Sequence, residues 1–404
     1  MSDKYGNSPA VIVVGGGPAG LTTAIALAKG GIPTVLAGKR PARPDNRTTA
    51  LMARSVTALE TLGVWELCKG QAAPLKVMRM VDDTGRLWRA PEVKFESSEI
   101  ELDAFGYNIE NRHLIEALER HGHSLSALHF VEDEVLSVVP DAAAITIVLK
   151  GGRSLHASLA VGADGRRSLC RAAADIGIDE RSYPQVALTA CLQHSRPHHE
   201  TSTEFHTATG PFTLVPLLGN RSSLVWVLDP VEADELAALD NAELAGKIER
   251  ASHSILGKIE VEPGRGLFPL QVATARRFAD KRIALVGEAA HVIPPIGAQG
   301  LNLGLRDAAT ISELAVAAYR NGHDFGGAAV LSHYDRLRQA DVRSRTLAID
   351  LLNRTLLSDF LPAQGARGLG LYLIDRIGPL RRAAMREGVA PAAATPRLMR
   401  GEAL

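Results

Sequence analysis

The hydrophobic pattern starts with an apolar, mostly β-branched run at residues 10–14, which is followed directly by glycines. An alanine-rich stretch covers residues 21–29, and a second apolar run lies at residues 34–37. A strand, a glycine turn, a helix and a second strand within about 30 residues are typical of a βαβ unit. The pattern therefore predicts a parallel, doubly wound sheet at the start of the chain.

Farther along the chain, the spacing of the hydrophobic residues alternates between that typical of strands and that typical of helices. Short strands are expected in 76–102, a helix over 111–121, and hairpin-like strands in 128–160 that end in a buried run at 159–163. Between about 184 and 271 short strands follow one another across turns, which is typical of an antiparallel sheet. The expected elements there are strands at 185–193, 201–208, 212–217 and 222–228 and one helix over about 231–254. A buried strand at 281–286 and long helices over 300–320 and 327–356 complete the pattern.

These elements predict an α/β protein, in which a discontinuous doubly wound domain with a GxGxxG turn carries an inserted antiparallel β-rich domain and C-terminal helices. The doubly wound domain is expected to comprise residues 1–75, 103–183 and 272–356. The inserted domain is expected to comprise 76–102 and 184–271, and residues 357–404 form a C-terminal helical segment.

Composition narrows the classes of function. The 404 residues contain 45 Lys and Arg against 45 Asp and Glu, so the surface gives no support for a nucleic-acid partner. Cys68, Cys170 and Cys191 are far apart in sequence, which makes a dithiol centre or a structural metal improbable and indicates a reducing cytoplasm. We expect no metal site. The chain has no run of about 18 apolar residues that would span a bilayer.

Residues 15–20 read Gly-Gly-Gly-Pro-Ala-Gly and fit the pattern GxGxxG between a strand and a helix. Gly15 permits the tight turn, Gly17 lets the backbone approach a pyrophosphate, and Gly20 lets the helix pack closely on the strand. The helix N-terminus supplies N–H groups and partial positive charge to phosphates. The pattern predicts a dinucleotide site, and the alternative is a glycine turn without a ligand.

The acidic side chain that usually ends the second strand and holds the adenosine ribose is missing here. Ala37 is followed by Gly38, Lys39 and Arg40. Either another group holds the ribose, or the adenosine end is held loosely. Lys39 or Arg40 would also suit the 2′-phosphate of a bound NADP, although the motifs farther along the chain favour FAD.

Two further motifs each follow a buried strand. The first runs Gly-Ala-Asp-Gly-Arg-Arg-Ser over 162–168, and the second runs Gly-Glu-Ala-Ala-His over 287–291 and continues with Gln-Gly-Leu-Asn-Leu-Gly over 299–304 and Asp307. With the glycine turn, these motifs make the chain resemble the single-component FAD-dependent aromatic hydroxylases of the p-hydroxybenzoate hydroxylase fold, and most closely the ubiquinone-biosynthesis hydroxylases. The resemblance covers roughly residues 9–388. It implies that the doubly wound domain binds FAD and that the inserted domain binds the substrate.

The resemblance also implies roles for individual residues of the cofactor site. The glycine turn with Ala19 would hold the pyrophosphate, Arg47 would reach back to FAD, and Arg112 would pair with the flavin phosphates or ribityl chain. Asp164 is implied to serve both FAD and the transient nicotinamide. Gly300, Leu301 and Asn302 match the segment whose backbone donors meet the pyrimidine edge of the flavin ring. The full set is Gly15, Gly17, Ala19, Gly20, Arg47, Arg112, Asp164, Glu288, Gly300, Leu301 and Asn302.

Two segments depart from the family pattern. Glu288 stands where the family usually has an aspartate that binds a ribityl hydroxyl, and a carboxylate one methylene longer keeps that bond only if its loop recedes. Gly297 and Ala298 reverse the commoner order ahead of Gln-Gly. His291 is interpreted as structural, and Phe212 and Trp226 as residues of a sheet core, although an apolar sheet face over a flavin would also suit an aromatic substrate.

The resemblance implies a cycle in which NAD(P)H reduces FAD, O₂ adds at the flavin C4a, and the hydroperoxide transfers OH to an activated phenol ring. A second GxGxxG unit is missing from the sequence, so NAD(P)H is expected to be a transient co-substrate. No acid–base residue can be selected from the sequence. The alternatives left open are a soluble aromatic-acid hydroxylase of the same fold and a flavin-poor scaffold in a quinone-biosynthesis complex.

The segment 361–404 contains seven arginines and three acidic residues, and its centre, 369–380, is apolar. Such a segment suits a helix that lies in a membrane interface, where cations meet anionic lipid. We therefore expect a cytoplasmic protein that associates peripherally with the inner membrane or with a quinone-biosynthesis complex and acts on a prenylated phenol. The alternative is a C-terminal helix that packs on the FAD-binding domain, and Gly378-Pro379 is expected to break the helix.

Overall fold

The computed structural model describes residues 10–39, 47–85, 91–294, 298–357, 376–389 and 395–404. Apolar periodicity, glycines and capping residues set the bounds of its helices. The α-helices are α1 (Pro18–Lys29), α2 (Ala53–Leu62), α3 (Asn111–His123), α4 (Leu169–Ala173), α5 (Pro230–Ala238), α6 (Asn241–Ala251), α7 (Gln299–Arg320), α8 (Ala328–Leu357) and α9 (Gly378–Val389). Short 3-10 helices lie at Trp65–Leu67, Lys69–Gln71, Ser97–Ile100, Gly287–Ala289 and Arg397–Arg400.

The strands alternate with these helices along the chain. They are β1 (Val11–Val14), β2 (Thr34–Ala37), β3 (Thr48–Met52), β4 (Ala72–Leu75), β5 (Val77–Asp82), β6 (Val93–Glu96), β7 (Gly106–Glu110), β8 (Leu128–Val131), β9 (Val135–Pro140), β10 (Ile145–Leu149), β11 (Ser154–Ala157), β12 (Leu159–Gly162), β13 (Ile178–His194), β14 (Thr201–His206), β15 (Pro211–Leu217), β16 (Arg221–Leu228), β17 (Ile259–Val261), β18 (Gly266–Ala275), β19 (Ala279–Asp280), β20 (Ile283–Leu285) and β21 (His291–Val292).

The first sheet is doubly wound and has the strand order β19-β20-β12-β1-β2-β8. Strands β20, β12, β1, β2 and β8 are parallel, and only β19 of this path runs antiparallel. All four residues of β1, β2 and β12 are buried, because helices or a second sheet cover both faces. Helix α1 packs against α3 and α7 over this sheet.

The large second sheet is mostly antiparallel, with the order β21-β18-β13-β16-β15-β14-β5-β6 and β17 beside β13. Phe205, Phe212 and Trp226 lie on one of its faces and form a core with α5 and α6. The Phe212 and Trp226 rings meet edge to face with their centroids 5.0 Å apart. The interpretation of these two aromatic residues as sheet core is therefore confirmed, and so is the predicted combination of a doubly wound sheet with an inserted antiparallel sheet.

The helix expected over about 231–254 was wrong as a single element, because the structure has α5 and α6 there. Leu239 ends α5 in an extended conformation, with ψ 153°. Asp240 then caps α6: its side chain accepts from the Glu243 N–H at 2.8 Å, and Glu243 in turn accepts from the Asp240 N–H at 3.3 Å. This reciprocal capping box starts a new helix.

The C-terminal helix α9 packs on the body of the protein. Met385 is buried beside Ile100 and Phe105, and the Arg381 Nε donates to Glu99 at 2.6 Å. Arg376 is helical, Ile377 is not, and α9 starts at Gly378, so the helix break expected at Gly378-Pro379 is confirmed. Pro379 lies in the first turn of the new helix, where its missing N–H costs no hydrogen bond.

The apolar centre predicted for the C-terminal segment falls mostly at 369–375, outside the described residues. Within the described ranges, no helix combines the length and apolar character needed to cross a bilayer.

Candidate functional site

Three loops meet at the carboxyl edge of the first sheet. They follow β1, β12 and β20, which are adjacent parallel strands, and begin at Gly15, Ala163 and Val286. Open α/β sheets bind ligands at this edge. The three motifs recognised in the sequence are therefore brought together, although up to about 270 residues separate them along the chain.

The four glycines of the turn differ in how closely other atoms surround them. A Cβ at Gly15, whose φ is +113°, would lie 2.3 Å from the Ala163 carbonyl oxygen, and one at Gly20 would lie 2.0 Å from the Gly15 carbonyl oxygen. A Cβ at Gly16 or Gly17 would meet no described atom within 4 Å. Gly15 and Gly20 are thus needed for packing, while Gly16 and Gly17 form an open cradle in front of α1.

The first turn of α1 also touches the third loop and α7. The Ala19 side chain lies 3.2 Å from the Cβ position of Gly287 and 3.4 Å from that of Gly304. Small residues at all three positions let the loop pass between the two helices. Gly287 has φ +60°, which glycine adopts without strain.

Asp164 is held by its own loop. Its Oδ1 accepts from the Ser168 hydroxyl at 2.6 Å, and its Oδ2 accepts from the Cys170 N–H at 3.1 Å. Ser168 also caps α4 by accepting from the Arg171 N–H at 2.9 Å. The Asp164 carboxylate is therefore fixed at the mouth of the second loop, beside the glycine turn.

The second and third loops are tied together by arginines. Arg171 Nη1 donates to the Ala289 carbonyl at 2.9 Å, and Arg166 Nε donates to Glu288 Oε2 at 3.3 Å. The Glu288 side chain is 50% exposed. The longer carboxylate thus reaches out to Arg166 at the surface, and this pairing competes with any contact to a ribityl hydroxyl.

The two predicted flavin arginines come from the ends of paired strands. β3 pairs with β7, and the Asn111 N–H donates to the Arg47 carbonyl at 2.8 Å. Arg112 Nη2 donates to both Glu110 oxygens at 3.0 Å, and its side chain is 49% exposed. The Arg47 guanidinium lies 6.0 Å from the Phe268 ring centroid, at the outer limit of a cation–π contact.

Glu110 links Arg112 to the second sheet, because Arg221 Nη2 also donates to it at 3.4 Å. Arg221 in turn makes two hydrogen bonds of 2.7 Å with Glu262. Burial alone would raise the pKa of Glu110, but the hydrogen bonds from Arg221 and Arg112 outweigh it and lower the pKa. This carboxylate therefore orients the Arg112 guanidinium, a role that sequence reasoning missed.

The start of α7 follows the third loop. A Cβ at Gly300 would meet no described atom within 4 Å, and the first-turn N–H groups of a helix have no intrahelical acceptor. The Asn302 side chain accepts from the Met52 N–H at 2.9 Å and donates to the Ala50 carbonyl at 2.8 Å. It therefore clamps α7 to β3 and leaves the first-turn backbone of Gly300 and Leu301 available.

A buried ionic network supports the third loop. Asp307 accepts from the Gly287 N–H at 2.9 Å, from His291 Nε2 at 2.7 Å and from Arg338 Nε at 2.6 Å. Arg338 also donates to Asp341 at 2.6 Å. Burial would raise the pKa of Asp307, but the charges of His291 and Arg338 and their hydrogen bonds lower it. His291 has the structural position expected of it.

One face of the second sheet is turned towards β7. Asn108 of β7 donates to the Ser223 hydroxyl at 3.1 Å, and the β-pairing places Val225 and Thr189 on the same face as Ser223. The side chains of Thr189, Cys191, Thr213, Val215 and Val225 are partly exposed there. A face of small, mostly apolar side chains has room for a planar ring.

The same face carries a hydrogen-bonded imidazole and carboxylate. Glu204 pairs across the strands with Thr213, whose hydroxyl donates to it at 3.2 Å, and His206 Nε2 lies 2.8 Å from Glu204 Oε1. Both groups lie on β14 and their side chains are mostly buried. The sequence could not select this pair, because only the strand register shows which face it occupies.

These observations fit FAD. The open glycine cradle at a helix N-terminus suits the pyrophosphate, and the half-exposed Arg112 guanidinium suits a phosphate or ribityl oxygen. The N–H groups at the start of α7 suit the pyrimidine edge of the flavin.

Comparison with known proteins agrees with this geometry. The family model described as "FAD binding domain" matches residues 8–346. The chain is 36% identical over 401 residues to the ubiquinone hydroxylase UbiL of Rhodospirillum rubrum, and the match covers 97% of this chain and 92% of the relative. It is 32% identical over 399 residues to the 3-demethoxyubiquinol 3-hydroxylase of Escherichia coli, with 94% of this chain and 98% of the relative covered.

Solved structures share the fold. The p-nitrophenol 4-monooxygenase PnpA of Pseudomonas putida superposes with a TM-score of 0.77 at 20% identity, covering 94% of this chain and 97% of the other. HpxO of Klebsiella pneumoniae, in a complex with FAD and uric acid, superposes with a TM-score of 0.73 at 20% identity, covering 95% and 97%. At this identity the likeness concerns the fold alone.

Proposed function

Because this chain belongs to the family of FAD-dependent aromatic hydroxylases that contains these relatives, we propose that it hydroxylates the ring of a polyprenylated phenol in ubiquinone biosynthesis. NAD(P)H and O₂ are the co-substrates. The predicted family, the FAD cofactor and the class of enzyme, an FAD-dependent monooxygenase, are confirmed by the family model and by the two relatives. The prenylated substrate and the individual site residues belong to the proposal.

The proposal rests on the face of the second sheet that is turned towards β7. Thr189, Cys191 and Val225 leave a partly exposed, mostly apolar surface, and Phe268 borders it below Arg47. A phenol ring placed against these side chains is desolvated and held beside the flavin. Exclusion of water is what such a site must achieve, because water would release peroxide without product.

FAD, when bound, supplies the redox chemistry that activates O₂, which protein side chains cannot supply. The open cradle of Gly16 and Gly17 would bind the pyrophosphate at the start of α1, in a turn that Gly15, Ala19 and Gly20 shape. Arg112 and Arg47 would hold the phosphate and ribityl side, with Asp164 and Glu288 at the neighbouring loops. The backbone at Gly300, Leu301 and Asn302 would orient the flavin ring.

His206 supplies the base that the sequence left unassigned. A phenol is most reactive as the phenolate, and an imidazole beside the ring would accept the phenolic proton. Glu204 Oε1 lies 2.8 Å from His206 Nε2 and orients the imidazole. The pair thus orients a base on the face where the ring is expected.

The test is hydroxylation by the purified FAD-loaded enzyme of a 2-polyprenylphenol, with NAD(P)H and ¹⁸O₂. We expect one labelled oxygen in the ring product and NAD(P)H consumption that depends on the phenol. Thr189→Phe, which would fill the sheet face, should abolish this coupling and leave FAD bound. Hydroxylation of a soluble aromatic acid, but not of the prenylated phenol, would favour the soluble-substrate alternative. A protein that purifies without flavin and takes none up would favour the scaffold.

A deletion strain gives an independent test in the cell. Loss of the enzyme should cause quinone precursors to accumulate, and the missing oxygen of the precursor identifies the hydroxylated ring position. Normal ubiquinone content in that strain would overturn the proposed pathway, unless a second hydroxylase is found there and deleted as well.

We propose further that α9 lies at a membrane surface. Ile377, which directly precedes α9, and Leu380 on α9 are 44% and 45% exposed, and the exposed Arg382 and Arg386 also lie on α9. Apolar side chains between arginines suit an anionic bilayer, where each cation adds about 1 kcal/mol. The contacts of Arg381 and Met385 fix α9 to the protein, so the helix can present this surface without unfolding.

Flotation on anionic vesicles tests this part. The full chain should float with vesicles that contain anionic lipid, and Ile377→Ser with Leu380→Ser should reduce flotation. Val231, which is 66% exposed on α5, provides the matched control as Val231→Ser. Equal flotation of all three proteins, or of none, would overturn membrane docking through α9.

A further inference from the structure

A cleft lies beyond the glycine cradle, at the carboxyl ends of β2 and β8. It encloses about 360 Å³ of non-protein space, part of which is open to solvent. Its described lining includes Gly16, Gly38, Glu119 and Glu132. Since Gly16 belongs to the pyrophosphate cradle, a dinucleotide held there would extend its adenosine into this cleft.

The cleft contains the position of the missing ribose acid. In dinucleotide-binding folds an acidic residue at the end of the second strand accepts hydrogen bonds from the ribose hydroxyls. In this chain Gly38, directly after β2, has that position. The Gly38 N–H donates to the Val131 carbonyl at 3.1 Å, so β8 lies directly alongside. Glu132 follows β8 at once and lines the cleft. A carboxylate is therefore absent after β2 but present after the neighbouring strand β8, at the same edge of the sheet.

We propose that Glu132 accepts hydrogen bonds from the adenosine ribose hydroxyls of FAD, in place of the acid that Gly38 replaces. The inference rests on the FAD site described above. A carboxylate accepts from two adjacent hydroxyls at once, which suits the 2′,3′-diol of a ribose. Glu119, the second carboxylate of the cleft, is half-buried and comes from α3 rather than from a strand end.

The test uses flavin-free protein and two probes, ADP and 2′,3′-dideoxy-ADP, which differ only in the ribose hydroxyls. The wild type should bind ADP more tightly than the dideoxy analogue, by about 10- to 150-fold for a diol bonded to a charged acceptor. Glu132→Ala should remove this preference and weaken FAD binding by a similar factor. Glu134→Ala is the matched control, because Glu134 is a neighbouring acid that bonds Lys150 outside the cleft.

A rescue experiment separates a ribose contact from a change of fold. A Cβ at Gly38 would make only ordinary contacts of 3.4–3.5 Å, so Gly38→Glu is sterically allowed. In the Glu132→Ala background it should restore the preference for ADP, and in the wild type it should add little. A wild type without any preference, or a preference lost through Glu119→Ala and kept in Glu132→Ala, would overturn the proposal. A wild type that does not bind FAD would overturn the flavin site itself.

Discussion

Asp307 Oδ1 accepts a hydrogen bond from Arg338 Nε over 2.6 Å, and both side chains are at most 2% exposed. The pair joins α7 to α8 behind the third cofactor loop. Asp307→Asn removes the carboxylate that bonds both Arg338 and His291 and leaves Arg338 paired with Asp341, so it should lower the free energy of unfolding by about 3 kcal/mol, the lower end of the cost of breaking a buried ion pair. Urea unfolding checks this value. Asp179→Asn, from an ion pair that is more than 60% exposed on both sides, should change it by no more than about 1 kcal/mol. Similar losses in both variants would contradict the buried-pair argument.

Arg112 should contribute to FAD affinity through its guanidinium. In Arg112→Ala the loss of a charge-assisted hydrogen bond is expected to weaken FAD binding about 10- to 150-fold, with the fold intact. Equilibrium dialysis measures the affinity, and circular dichroism checks the fold. Arg120→Ala, an exposed arginine of the same helix, serves as the control. Unchanged FAD affinity in Arg112→Ala would remove this residue from the site.

The glycines of the turn should separate into two classes. Gly17→Ala places a Cβ in the open cradle at φ −74°, a conformation that alanine adopts freely, so it should block FAD binding and leave the melting temperature nearly unchanged. Gly15→Ala places a Cβ 2.3 Å from the Ala163 oxygen at φ +113° and should destabilise the fold. Calorimetry with and without FAD distinguishes the two. Full FAD binding by Gly17→Ala would show that the pyrophosphate lies elsewhere.

The Cys191 thiol should react slowly with alkylating reagents. Burial, together with the Glu262 and Glu110 carboxylates, raises the pKa of Cys191 to about 11. At pH 8 the thiolate fraction is then about a hundredfold below that of a thiol with a pKa near 9. The iodoacetamide rate, measured by peptide mass spectrometry, should keep rising up to about pH 11, with denatured chain as the reference. Equal rates for native and denatured protein at pH 8 would contradict the shift.

The same shift has a consequence for stability. Between about pH 9 and pH 11 the folded chain retains a proton on Cys191 that the unfolded chain has released. The free energy of unfolding should therefore fall as the pH rises through this window, and Cys191→Ser should make the fall shallower.

His206→Gln should slow hydroxylation at neutral pH, by about 10²- to 10⁴-fold if the imidazole takes the phenolic proton. The defect should shrink as the pH approaches about 10, where a phenol ionises without help. His198→Gln, whose parent ring bonds the Leu217 carbonyl on the same sheet, is the control. A rate loss that does not depend on pH would indicate a structural role for His206.

Local pattern determined what the sequence could predict. The β1 strand, the glycine turn and α1 are contiguous, and parallel strands place their following loops on one edge, so the convergence of the three motifs was expected. The split between α5 and α6 could also have been found, because Asp240 and Glu243 have the spacing of a capping box. The boundaries of the two domains and the role of each site residue stay predictions.

Other features depend on which strands and helices pack together, and the sequence alone does not show this. Glu132 reaches the cleft only because β2 pairs with β8, and Arg338 meets Asp307 across 31 residues of sequence. The role of Glu110 could not be predicted for a different reason. Glu110 lies two residues from Arg112, but its hydrogen bond to Arg221 forms only when the second sheet packs against β7.

The long strands β13 and β18 have a consequence for how such an enzyme can change during evolution. The chain leaves the first sheet after β12 and returns to β20, the strand next to β12, and on the way out and back Ile178 pairs with Ala275. Residues 178–275 therefore depart and return side by side, as the two arms of one large hairpin. Insertions or exchanges beyond this paired stem leave the spacing of β12 and β20 untouched. New substrates can thus be acquired in the outer part of the hairpin while the inherited flavin chemistry at its base stays the same.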